Sequence, residues 1–230
     1  MTAPNVRSDV ATVASVDPVF HCSERPTWRG WMHAWAFVAA IPAGVLLIIA
    51  APTAAATATA SIYAASLVLL FGTSAAYHRM ARGERTRRTM QRLDHAMIYV
   101  LIVGTYVPLC VLALPPAWGI SILAVVATAG VLGIVLKLAV FDGAQRVSNS
   151  LYLVMGWAAV IAAPVMVDNL TTTQLTLVIA GGVAYTIGFP VLMTRWPNPW
   201  PQRFGYHEVW HLLTVVAAGL HFAAVSDVVA

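Results

Sequence analysis

Residues 118–140 read WGISILAVVATAGVLGIVLKLAV, twenty-three residues with one charged side chain, Lys137, near the far end. A helix needs about 20 apolar residues to cross the hydrocarbon core of a bilayer, so this stretch predicts a membrane span. Before it, Pro115-Pro116 closes a second apolar stretch, residues 93–114. Further toward the N-terminus lie 31–51 and 57–77, separated by the break Ala51-Pro52-Thr53. Toward the C-terminus lie 150–167, 175–194 and 207–225. The connecting stretches are polar: ARGERTRRTMQR after the second span, DNLTTTQ after the fifth, RWPNPWPQRFGY after the sixth. Over all 230 residues, 60% are hydrophobic and 10% charged. A soluble domain carries about 25% charge, and disorder needs low hydrophobicity with high charge. Both classes are excluded. The expected fold is an all-α membrane protein, a bundle of seven transmembrane helices. Residues 1–29 form a polar tail and 30–230 the membrane domain, with no length left for a separate soluble domain.

Charge orients the bundle. With seven spans, all thirteen Lys and Arg fall on one side: in the tail, the 79–92 loop, the end of the fourth span with its loop, and the 195–206 loop. Cytoplasmic loops carry the excess of Lys and Arg. The N-terminus is therefore expected in the cytosol and the C-terminus outside. The net charge of +4 reflects this bias, and no nucleic-acid partner is expected. Cys22 and Cys110 sit in unlike settings and form neither a disulfide framework nor a metal-type spacing. Gly44, Gly72, Gly104, Gly130, Gly133, Gly181 and Gly182 are expected to let helices approach closely.

Ionisable groups within spans are costly and mark candidate functional positions. Here they are His33, His78, Asp94, His95, His207, Glu208, His211, His221 and Asp227. The topology brings three segments to one depth: His78 ending the second span, Asp94 and His95 opening the third, and His207 to His211 opening the seventh. His207 and His211 are four residues apart and share a helix face. With His78 they offer three imidazoles, the open, catalytic type of zinc site. Ser74, one turn before His78, is placed to hydrogen-bond a water on the ion or a substrate carbonyl. Asp94 is placed to hold that water or take its proton. The zinc ligands expected are thus His78, His207 and His211, and the catalytic pair Asp94 and Ser74. His33 and His95 read as interfacial polar residues. His221 lies about 15 Å further along its helix, too deep for the same ion, and reads as a buried, hydrogen-bonded imidazole.

His207-Glu208-Val209-Trp210-His211 also spells H-E-x-x-H, which in zinc proteases supplies two ligands and a general base. Against that reading, the side chain of Glu208 is turned about 100° from His207 on a helix.

The motifs Ser74-Ala-Ala-Tyr-His78, Leu93-Asp94-His95 with Gly104-Thr105-Tyr106-Val107-Pro108, and His207-Glu208-Val209-Trp210-His211 with His221-Phe222 resemble, in order and spacing, the hemolysin III family. This is the bacterial branch of the progestin and adipoQ receptor family, and the resemblance covers roughly residues 30–227. It implies seven helices with a cytosolic N-terminus in a bacterial cell membrane. It also implies a zinc ion on His78, His207 and His211, with Asp94 and Ser74 beside it and Glu208 incidental. The wider superfamily, which includes alkaline ceramidases, suggests hydrolysis of a lipid amide.

The expected function is a zinc-dependent membrane hydrolase of a lipid amide or ester, ceramide-like in class, with a membrane lipid as substrate or bound acyl chain. The alternatives are a non-catalytic zinc sensor or a membrane-perturbing protein, and an intramembrane H-E-x-x-H protease. The sequence does not fix the oligomeric state.

Overall fold

The computed structural model describes residues 26–141, 143 and 145–230. The tail up to residue 25, with Cys22, lies outside them. The described chain is all helical apart from one isolated bridge between Trp200 and Phe204. In order, the helices are α1 (Trp31–Ala50), α2 (Ala54–Met80), α3 (Glu84–Pro108), α4 (Pro116–Ala139), α5 (Gln145–Trp157), α6 (Ala163–Asn169), α7 (Thr172–Thr194) and α8 (Tyr206–Val229). A π turn, Leu109–Ala113, extends α3. A 3-10 turn, Ala158–Ala162, joins α5 to α6. Among the described residues, seven stretches are long and apolar enough to cross a membrane, with α5 and α6 together making the fifth.

Local chemistry sets the ends. Thr53 caps α2 by accepting from the Ala56 amide at 3.1 Å. Pro116 opens α4, where a missing N–H is harmless. Thr171 and Gln174 cap α7 reciprocally. At the C-terminal end of α3, Pro108 cannot donate to the helix ladder, and the π turn follows directly.

One boundary differs from the sequence reading. The basic stretch after α2 is helix from Glu84 onward, so α3 begins nine residues before the apolar run. Arg88 donates to Glu84 one turn back at 2.6 Å, and Arg92 reaches the Leu138 carbonyl. Paired or solvated arginines extend a helix without extending its apolar face.

The fifth span is broken by the 3-10 turn. Pro164 lacks the N–H that would bond the Val160 carbonyl four residues back, and the Ala163 amide takes that carbonyl instead. One turn earlier, Tyr106 of α3 inserts between the Met155 carbonyl and the Ala159 amide. Its hydroxyl donates to the Met155 carbonyl at 2.9 Å and accepts from the Ala159 amide at 2.9 Å. Tyr106→Phe is expected to destabilise the protein by about 1–3 kcal/mol, the cost of leaving buried backbone groups unpaired. Unfolding of the detergent-solubilised protein measures it.

Helix α7 packs on α8, and α1, α2, α3 and α4 pack in sequence. Helix α8 also touches α1, α2 and α3. Helices α2 and α3 are the most enclosed, with 50% and 56% of their apolar windows buried. Outward faces are apolar: Ile49, Ile120 and Ile161 are 74%, 70% and 73% exposed, as expected of a surface that meets lipid. Small residues allow the close contacts. A Cβ on Gly44 would lie 2.8 Å from Ala64, and one on Gly72 2.8 Å from the Phe37 ring. Gly182 departs from this expectation. It faces open space, because it lines a cavity rather than a helix contact.

Candidate metal centre

The site lies at the end of the bundle where α2 finishes and α1, α3 and α8 begin. The chain enters α1 through Gly30, with φ of 79°. A side chain there would be strained in itself and would bring its Cβ within 2.6 Å of the His78 Cβ. This bare backbone lets α1 sit against the end of α2. The preceding segment ties down the approach to α8, with Thr27 N and Trp28 N donating to the carbonyls of Gln202 and Arg203, each at 3.1 Å.

Within this corner the structure brings His78, His207 and His211 together. One ring nitrogen or equivalent donor atom from each lies within 4.8 Å of the others. Nε2 of His78 and Nε2 of His207 are 3.1 Å apart. The three rings are steeply inclined to one another, at 75°, 62° and 58°, so they converge rather than stack. Asp94 stands one step further out, its Oδ2 3.8 Å from His78 Nε2. Ser74 is buried beside Asp94, and its Oγ makes no hydrogen bond of standard geometry. The common alternative for a serine in a span, a bond back to its own helix, is made by Ser66 to Tyr63 O but not by Ser74.

The three residues His78, His207 and His211 could hold a metal ion. Tetrahedral zinc with nitrogen at about 2.0–2.1 Å spaces its donors roughly 3.4 Å apart, close to the His78–His207 separation. Three imidazoles suit zinc and not calcium or magnesium, which take oxygen. The unpaired buried atoms collect here as well. His211 Nδ1, Ser74 Oγ and both nitrogens of His33 lack partners among the described residues.

The other singled-out residues fall elsewhere or take other roles. His95 turns away, its Nδ1 2.7 Å from the Gln91 carbonyl and its ring edge-on to Phe141. His221 Nε2 is 3.1 Å from the Val178 carbonyl, a hydrogen-bonded role outside the cluster. It lines an apolar cavity of about 70 Å³ with Thr105, Tyr106, Cys110 and Met166, room for a few waters and too little for an acyl chain. His33 is a correction. It is not an interfacial residue but is 3% exposed, its ring stacked flat on that of His211. The close entry of α1 through Gly30 puts it there.

Glu208 has two partners, neither of them in the cluster. Oε1 accepts from Arg29 Nε at 2.5 Å and Oε2 from the Gly205 amide at 2.8 Å. Arg29 is the residue that sequence reasoning passed over. Nothing local in the sequence signals a pairing across 179 residues. Its carbonyl also accepts from Arg79, whose guanidinium lies 3.8 Å over the Trp31 ring. The pair is buried, the side chains 9% and 1% exposed. Arg29→Ala or Glu208→Ala is expected to cost about 3–5 kcal/mol, since each leaves a buried charge unpaired. Replacing both with apolar residues of similar size is expected to recover most of that, as denaturation of single and double variants will show.

The haemolysin-III related family matches residues 21–222. Over 196 residues the chain is 30% identical to Hemolysin-3 of Bacillus cereus, covering 84% of this chain and 86% of that one. It is 29% identical to the Hemolysin-3 homolog of Bacillus subtilis (strain 168), again over 84% of this chain and 89% of the relative. With seven helices able to span a bilayer and a match over most of its length, the chain belongs to the haemolysin-III related family and is a multi-pass integral membrane protein of a bacterial membrane.

Proposed function

We propose that the protein is a zinc-dependent hydrolase of a lipid amide or ester, ceramide-like in class, with its site near the cytoplasmic face. The observation that carries this reading is the convergence of His78, His207 and His211 with a carboxylate, Asp94, held just outside them. Zinc, when bound, supplies a Lewis acid that lowers the pKa of water to about 7. The three imidazoles would hold it. Asp94 would orient the attacking water and take its proton. Ser74 Oγ lies beside Asp94 and makes no bond back to its own helix, and it would donate to the carbonyl oxygen of the scissile group as charge develops on it. Engagement of Glu208 by Arg29 and the Gly205 amide weighs against the protease reading, which needs that carboxylate as a base.

The test is release of fatty acid from a short-chain ceramide analogue by zinc-loaded protein, by protein stripped with a chelator, and by protein reloaded with zinc. Activity lost on stripping and restored on reloading is the expected result. No release by the zinc-loaded protein would leave a sensor with structural zinc as the better reading.

The cytoplasmic placement rests on the Lys and Arg partition across seven spans. A reporter active only outside the cytosol, fused after Ala230, is expected to work. Activity of a cytosol-only reporter at that position would reverse the orientation.

A further inference from the structure

A fourth imidazole stands at the cluster, and the zinc reading leaves it without a task. His33, in the first turn of α1, is 3% exposed, and neither Nδ1 nor Nε2 has a hydrogen-bond partner among the described residues. Its ring lies on the His211 ring with centroids 3.7 Å apart and planes within 6°. Phe71 meets it at 5.1 Å and 68°. Burying two polar atoms unpaired inside a membrane bundle is expensive. Five buried side-chain polar atoms lack partners among the described residues, and four of them belong to His33, His211 and Ser74. Polar groups left open together in one place are arranged for something that is not protein.

Stacking decides what His33 does not do. An imidazole binds a metal along a lone pair in its own ring plane. Two parallel planes 3.7 Å apart do not share one in-plane ion, so His33 is not a fourth ligand beside His211. Nor do stacked faces hydrogen-bond to each other. A neutral imidazole presents one donor and one acceptor, and a single hydroxyl or water answers either of them.

We propose that His33 is a binding residue for an oxygen seated beside the metal cluster, either a hydroxyl of the bound lipid or a water standing between the lipid and the ring. The proposal rests on the lipid-hydrolase reading for the class of ligand and on the stack for the geometry. It makes His33 the residue that would distinguish hydroxylated lipids from plain alkyl amides.

His33→Phe keeps a flat ring on His211 and removes both nitrogens, and His33→Gln keeps a donor and an acceptor without the ring. Two uncleavable probes are compared by equilibrium binding to zinc-loaded protein: a short-chain sphingosine sulfonamide and its counterpart without hydroxyls. Zinc content is measured in parallel and is expected to be unchanged in His33→Phe. Affinity of His33→Phe for the hydroxylated probe is expected to fall about 10-fold, the worth of one hydrogen bond in an enclosed site, with partial recovery in His33→Gln. A fall confined to the hydroxylated probe identifies the lipid hydroxyl as the partner, and an equal fall for both identifies the water. Unchanged affinity for both probes, no binding of either probe by the wild-type protein, or loss of zinc in both variants would overturn the proposal. Because the probes are not cleaved, wild-type protein that binds them yet hydrolyses no amide defeats the hydrolase reading alone.

Discussion

Asp94→Asn is expected to keep its zinc and to lose lipid hydrolysis by ~10²-fold or more, the usual worth of a positioned general base. The substitution preserves shape and hydrogen-bonding capacity and removes only the charge that takes a proton. Asp94 is not one of the three converging donors, since its nearest approach is 3.8 Å to His78 Nε2. Metal retention and loss of turnover therefore separate cleanly. Glu208→Gln is the control. Its carboxylate is engaged by Arg29 and a backbone amide, so the variant is expected to lose stability while the folded fraction keeps its rate per bound zinc. The protease reading inverts both outcomes, with Glu208 essential and Asp94 dispensable. Elemental analysis and turnover of a short-chain ceramide analogue, run on both variants, decide between them.

The second large effect concerns the metal. Purified protein is expected to carry about one zinc per chain, as a single three-imidazole site implies. His78→Ala, His207→Ala and His211→Ala should each remove most of it, because two imidazoles alone hold zinc far more weakly. His221→Ala should not. Its Nε2 is 3.1 Å from the Val178 carbonyl, and the residue stands outside the cluster. If His221→Ala lost metal as fully as His211→Ala, the register of α8 in the bundle would be wrong.

What the sequence could show follows from what is local or periodic. Seven apolar stretches and their breaks were legible because a membrane span is written as one uninterrupted segment. The i,i+4 pair on α8 was legible because helix geometry alone puts both rings on one face. Counting spans then carried His78 and Asp94 to the same end. The early start of α3 was hidden because Glu84 to Arg92 looks like a basic loop, while helix there is sustained by pairs such as Glu84–Arg88. His33 was misjudged because its burial depends on how closely α1 enters beside α2, which turns on one glycine, Gly30, whose φ of 79° leaves no trace in hydropathy. Arg29–Glu208 spans nearly the whole chain, and only the folded bundle brings it together. The 3-10 turn in the fifth span has a local cause in Pro164, yet the Tyr106 hydroxyl that bridges Met155 and Ala159 just before it comes from α3.

The two hardest features to read are therefore the ones that enclose the cluster. Arg29 holds the segment before α1 to the first turn of α8, and His33 covers the face of His211. Both act on the helix that supplies two of the three converging imidazoles. Glu208 follows His207 directly, so the ion pair fixes the turn on which that imidazole stands. Stability and metal affinity are thus expected to fall together in Arg29→Ala, whereas Tyr106→Phe, far along α3, should lower stability alone.

The proposed chemistry turns on three imidazoles, His78, His207 and His211, forming an open metal site. X-ray absorption at the zinc edge of the purified, detergent-solubilised protein tests it most directly. Three nitrogen scatterers with imidazole signatures and one oxygen, all at about 2.0–2.1 Å, are the predicted result. A fourth imidazole in place of the oxygen, sulfur among the ligands, or no bound zinc at all would contradict it.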